Sequence, residues 1–322
     1  MKKTLFLTLL CAALLAPSVA AQEDEGKAAE PSAAAEKSKS AAKVPKTLRG
    51  GWVLKWNDEF DGNRLDETKW AYELGVVRNK GSKQAYTKDC VEVKDGMLLL
   101  HSRAQQTENV NFEEGSQKWW KQIRTQPYAS GSVTTRGVMH FTPPARLEFR
   151  ARIPKAKGVW PAIWTLHVND YEWPTKGEID ILEHISQEPN KVHSIFRWGK
   201  NGTSEEYKPV SKVTTIPNFS DDFHLYALEW DAKMMRILID NKEVGRVAIK
   251  DAQYPNGDNP LLTPCYIIMN TAIGGWAEAP VAAQYPVTFE IDYVRYYTKR
   301  GAKVPSGIKS KPAVGKGKEK KS

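Results

Sequence analysis

Apolar and polar residues alternate with a period of two through most of this chain. Residues 146–153 (RLEFRARI) alternate strictly, as a half-buried strand does. Residues 235–240 (MRILID) and 243–249 (EVGRVAI) are two such runs joined by Asn241 and Lys242, which predicts a hairpin. Residues 91–101 (VEVKDGMLLLH) read as two short strands about an Asp95-Gly96 turn. Further strands are predicted over 266–271 and 287–297, whereas long runs of helical period are missing from the sequence. Many short strands with turn signals between them predict a β-sandwich or barrel.

One run carries more than fold information. In residues 177–185 (GEIDILEHI), alternation places Glu178 and Asp180 on one face of a strand. Glu183 lies five residues after Glu178, so a regular strand turns it to the opposite face. One extra residue in a bulge near Ile181-Leu182 returns it, and three carboxylates then share a face. Crowding like charges is unfavourable, so such a row implies a use. Glycoside hydrolysis is one, since it needs an ionised carboxylate and a protonated one on either side of a bond.

Composition sets the boundaries. Residues 1–21 have a positive start (Lys2, Lys3), an apolar stretch from Leu5 to Leu15 and small residues at Ser18-Val19-Ala20, the pattern of a secretory signal peptide. A secreted or periplasmic location is expected, with no transmembrane segment. Residues 22–48 are Ala, Lys, Glu and Ser with almost no large apolar side chains, and read as a linker. All eleven tryptophans fall between Trp52 and Trp276, so 49–299 reads as one β domain and 300–322 as a basic tail. The net charge of +9 is not a nucleic-acid signature. Lys2 and Lys3 carry two charges, 22–48 balances five acids with five lysines, and 299–322 sets nine Lys or Arg against one Glu, leaving 49–298 at −1. Cys90 and Cys265, each in a strand-like run, read as small buried hydrophobes.

Longer motifs extend the carboxylate run: WNDEF (56–60), YASGSVTTRG (128–137), RLEFRARIP (146–154), GVWPAIW (158–164), WPTKGEIDILE (173–183), FHLYALEW (223–230), NTAIGGW (270–276) and IDYVRYY (291–297). In content and order they resemble glycoside hydrolase family 16, most of all its laminarinase branch. The resemblance implies an all-β fold, a β-jelly-roll sandwich of two curved antiparallel sheets with a concave glycan-binding cleft. It implies Glu178 as nucleophile, Asp180 as its partner and Glu183 as acid/base. It also implies that Trp160, Trp164, Trp173, His193, Arg197, Asn270 and Trp276 meet substrate. Arg197 stands where the family more often shows a histidine four residues after His193, so the residue at that place is expected to face the cleft. Trp119 and Trp120 either line the cleft or pack a loop.

No cofactor is expected for catalysis. The resemblance implies a structural calcium on the convex side, with ligands near Glu59, Gly96 and Asp292, since carboxylate and carbonyl oxygens suit that ion. The expected activity is endo-hydrolysis of β-1,3-glucan, extending to mixed-linkage β-1,3-1,4-glucan, by a monomer that binds no nucleic acid. The alternative is the same chemistry on agar, porphyran or carrageenan, where Arg197 would meet a sulfate ester. A non-catalytic glucan-binding module is disfavoured because all three carboxylates are present.

Overall fold

The structure, a computed structural model, describes residues 44–200, 203–207 and 209–302. The expected signal peptide (1–21), residues 22–43 of the expected linker and residues 303–322 of the expected tail lie outside the described residues.

The sandwich consists of an eleven-stranded and a seven-stranded sheet. In chain order, the strands of the smaller sheet are β1 (Ala71–Tyr72), β2 (Ser132–Thr134), β3 (Val159–His167), β4 (Glu178–Glu183), β5 (Lys191–Arg197), β6 (Val210–Thr215) and β7 (Cys265–Ile273). Their spatial order is β6-β5-β4-β3-β7-β2-β1, with every pairing antiparallel. The larger sheet is centred on the strand Val287–Lys299, which pairs with Trp52–Asp58, Met97–Arg103 and Ala145–Arg152. One short parallel pair, Gln84–Tyr86 with Tyr128–Ser130, interrupts its antiparallel pattern. Crossovers of this kind between two antiparallel sheets make the jelly roll that the sequence motifs imply.

Period-two patterning explains which faces meet. From the larger sheet, Leu147, Phe149, Leu228, Ile237, Phe289 and Ile291 enter the core. From the smaller sheet, Ile163, Ile179, Phe196, Ile267 and Met269 meet them. Truncating one of the phenylalanines to Ala would cost about 3–5 kcal/mol. The alternate residues of β3 and β7 face outward and form a second cluster, Ala162, Trp164, Tyr266 and Ile268. This outer, concave face is where the carboxylates sit. Cys90 and Cys265 are buried free thiols, and burial pushes the Cys265 thiol up to about 12.

Two boundaries differ from the sequence reading. The sheet begins at Thr47–Leu48, which pairs with Trp52 and Val53, two residues before the boundary at Arg49. Beside it, Lys299 lies over the Trp52 ring at 3.8 Å. The hairpin turn falls on Asp240 and Asn241 (φ 50° and 62°), one residue before the predicted Asn241-Lys242. Asp and Asn tolerate the left-handed region, while Lys242 is free to start the return strand. Asp95 and Gly96 turn as expected, at φ 51° and 69°.

Candidate active site

β4 sits in the middle of the smaller sheet, between β3 and β5. Opposite Glu178 stands Arg197, and opposite Asp180 stands Ile195. The register then shifts, so that Glu183 faces His193. Ile181 and Leu182 are both buried in the core, two consecutive residues on the inner face, which is the bulge that the spacing requires. The Ser194 hydroxyl, across from the bulge, donates to the Ile181 carbonyl at 3.1 Å. The result is a row of three carboxylates on the outer face, all buried: Glu178 is 6%, Asp180 2% and Glu183 5% exposed.

Each glutamate is held on both oxygens. Glu178 Oε2 accepts from the Trp173 indole at 2.9 Å and Oε1 from Arg197 Nη1 at 2.5 Å. Glu183 Oε1 accepts from the Trp160 indole at 3.0 Å, and its Oε2 lies 3.5 Å from Arg197 Nη2. Arg197 Nη1 also donates to Asp180 Oδ2. Burial, followed by the charges of Glu183 and Glu178, holds the Asp180 carboxyl well above its ordinary range, with Arg197 opposing. Burial pushes Glu183 up to about 7; Arg197 pulls it down and Glu178 adds to the rise. A buried acid poised near neutrality beside a second, paired glutamate is an arrangement suited to proton donation and nucleophilic attack at one bond.

The remaining expected residues divide into two groups. Trp173 and Trp276 are surface aromatics, 53% and 39% exposed. The loop bearing Trp173 is pinned by the Tyr254 hydroxyl, which donates to the Thr175 carbonyl at 2.5 Å. Trp276 meets Trp160 and His193 edge-on, at 5.5 and 4.9 Å between ring centroids. It follows Gly274 and Gly275 (φ 67° and 73°); a Cβ at Gly275 would come within 2.9 Å of Ser82 Oγ. His193 is itself buried and shares a 2.6 Å hydrogen bond with Glu188.

Trp164 and Asn270 are held by protein contacts of their own. Trp164 is 8% exposed, and the Arg78 guanidinium lies 4.9 Å over its ring. Its indole donates to Asn270 Oδ1 at 2.8 Å, and Asn270 Nδ2 donates to the Tyr86 hydroxyl at 3.0 Å. Asn270 is thus committed at both ends and orients Trp164 from below. Arg78 forms an ion pair with Glu73, which accepts from Ser132 at 2.6 Å. Sequence reasoning missed Arg78 and Glu73, which lie in irregular segments, and Tyr86, whose strand Gln84–Tyr86 is too short to give a periodic signal. Trp119 and Trp120 pack edge-on at 5.9 Å in the single helical turn Trp119–Gln122, which Asn109 ties down through the Trp120 and Ile123 carbonyls.

On the opposite sheet, Val287–Lys299 pairs with the strands ending near Glu59 and starting after Gly96, which gathers the expected calcium residues along one strand. Their carboxylates are already engaged: Glu59 accepts two hydrogen bonds from Arg295, and Asp292 Oδ2 accepts one from Arg150 at 2.7 Å. Among the described residues, no group of three or more His, Cys, Asp or Glu side chains is placed to hold a metal ion. A cation there would depend largely on backbone carbonyls.

Similarity to known proteins runs through the same residues. The sequence profile of Glycosyl hydrolases family 16 matches residues 86–295. The Beta-glucanase of Rhodothermus marinus is 32% identical over 263 residues, which is 76% of this chain and 85% of that protein. The Glucan endo-1,3-beta-glucosidase A1 of Niallia circulans is 30% identical over 276 residues; the match takes in 78% of this chain but 38% of that protein's length. A solved structure described with endo-acting O-glycanases, which prominent members of the human gut microbiota express to initiate mucin breakdown, is 45% identical. It superposes at a TM-score of 0.78 over 80% of this chain and 94% of its own. With its sandwich and carboxylate row arranged as described, a chain so related belongs to glycosyl hydrolases family 16 and is a glycoside hydrolase.

Proposed function

We propose that this enzyme cuts β-linked glycan chains internally with retention of configuration, using Glu178 as nucleophile and Glu183 as acid/base. The observation that carries this is the buried row of three carboxylates, with one arginine reaching all three. One guanidinium in reach of both glutamates limits their separation. The retaining assignment requires the two carboxyl groups to lie roughly 5–5.5 Å apart, against roughly 6.5–9.5 Å in inverting enzymes. In the first step a Glu178 oxygen bonds to the anomeric carbon. The bond to the leaving oxygen breaks, and Glu183 gives that oxygen its proton. In the second step Glu183, now ionised, takes a proton from water. The water oxygen attacks the anomeric carbon, and Glu178 leaves as carboxylate. Burial holds the Asp180 carboxyl well above its usual range, which favours its protonated form beside Glu178. The half-exposed Trp173 and Trp276 offer ring faces to sugar C–H groups on either side.

For the substrate we propose a mucin-type O-glycan chain. The 45% identity with the O-glycanase structure stands well above the 30% and 32% shared with the two glucanases. β-1,3-glucan, with mixed-linkage glucan, is the second reading, favoured by those two relatives. The agar, porphyran or carrageenan reading loses its main support, because Arg197 is engaged by carboxylates rather than turned to a sulfate. Residues 1–21 support export, and among the described residues no helix is long and apolar enough to cross a membrane. The test is to incubate the enzyme with purified mucin O-glycans, laminarin, lichenan and agarose side by side, and to follow products by mass spectrometry and anomeric proton NMR. Oligosaccharides from the mucin glycans, first formed as the β-anomer, are expected. Release from laminarin alone would move the assignment to the second reading, and an inverted first product would end the retaining mechanism.

A further inference from the structure

The two-step mechanism leaves one group without a role. Arg197 closes β5 directly opposite Glu178, and its side chain is 17% exposed, below the more open Trp173. It donates to Glu178 Oε1 at 2.5 Å and to Asp180 Oδ2, and lies 3.5 Å from Glu183 Oε2. We propose that Arg197 is a positioning residue whose fixed charge sets how protons are shared along the carboxylate row, rather than a residue that binds sugar. This rests on the reading of Glu178 and Glu183 as nucleophile and acid/base.

The chemistry of the partners singles it out. Each glutamate takes one neutral indole donor, from Trp173 or Trp160, and a neutral donor cannot offset charge. The other oxygen of each faces the same guanidinium, which stays protonated at any working pH. The titratable and charged groups facing Glu183 are Glu178 and Asp180 on its own strand, and Arg197 and His193 on β5. Glu188 stands behind His193 and is bound to it and to Lys191; β3 contributes the Trp160 indole. Arg197 is therefore the cation in contact with all three acids. Without it, burial and the neighbouring Glu178 act unopposed, and Glu183 should hold its proton to higher pH. The acid would then discharge late, moving the basic limb of the rate profile in the alkaline direction.

The test is a carbon-13 NMR titration of the intact protein labelled at Asp and Glu carboxyls, with Glu183 assigned by Glu183→Gln. It is run beside kcat and KM against pH on whichever glycan the wild type cleaves. Arg197→Gln should raise the Glu183 midpoint by about one unit or more, as loss of an adjacent opposite charge does. The basic limb of kcat/KM should follow, and Arg197→Lys should bring it most of the way back. If Arg197→Gln does not fold, Arg197→His, neutral above its own titration, should show the same upward shift. An unmoved midpoint, or a rise in KM with the pH profile intact, would overturn the proposal and return Arg197 to substrate binding. Inverted products with a shifted midpoint would instead count against the roles given to the glutamates.

Discussion

At the scale of single residues, the site sets burial against charge. Glu183 is pushed from an ordinary 4.5 to about 7 mainly by burial, so the folded protein favours its protonated form. That contribution to stability is full below about pH 4.5 and is lost as pH rises through about 7. Glu183→Gln should therefore melt later than wild type at pH 8 and show no such advantage at pH 4. The gain at pH 8 is on the order of 3 kcal/mol at most. Equal melting at both pH values would show that Glu183 is not perturbed in this way. The same variant should lose about 10²–10⁴-fold in turnover, the range for a missing general acid, and recover part of it on aryl glycosides that need no proton to leave. Trp173→Ala should fold normally, because the ring is 53% exposed, yet lose turnover on long chains with the indole bond to Glu178. Wild-type kinetics in that variant would remove Trp173 from the site.

For the elements, the central device is the bulge in β4. Deleting Ile181 restores strict alternation and leaves Glu183 on the outer face, so the main cost is a lost buried isoleucine, about 2–5 kcal/mol. Deleting Ile181 and Leu182 together turns Glu183 into the core, and that protein should not fold. Thermal melts of the two variants check this; a single deletion as damaging as the double would mean that the bulge does not control the facing. Much of this was legible beforehand. The five-residue spacing from Glu178 to Glu183 demanded an irregularity, and two apolar residues between Asp180 and Glu183 marked its place. Less legible was the Asp240-Asn241 turn, because Asp240 and Lys242 flank Asn241 and local sequence allows the turn to slip by one.

On the level of the whole molecule, the jelly roll presents one sheet to the glycan and buries the other face of that sheet on the convex layer. Outside residues 5–19, residues 1–43 and 303–322 carry few large apolar side chains, so a chain cut to 44–302 should fold and hydrolyse soluble glycans at the full-length rate. Loss of turnover in the truncated enzyme would give those segments a catalytic part. The calcium that the resemblance implies can be checked by melting the protein in chelator and in added calcium. With Glu59 and Asp292 already engaged by arginines, we expect calcium to raise the melting temperature modestly and to leave substrate choice unchanged.

What the sequence determined alone was whatever depends on local pattern. Period-two alternation specified an all-β chain and put Glu178 and Asp180 on one face, because facing is set by steps along one strand, while Glu183 could join them only through a bulge. Trp160 and Trp173 came with the same motifs, and each proved to hold a catalytic-row glutamate through its indole. Contacts between strands distant in sequence were decided by the tertiary structure. Arg197 comes to three acids because β5 pairs with β4 in one register. Asn270 turns out to support Trp164 from below, and Arg78 reaches the same ring from an irregular segment eighty-odd residues earlier. Burial has the same origin: a lone glutamate in sequence has no raised pKa, and Glu183 acquires one only when the packing of β3, β4 and β5 removes its water.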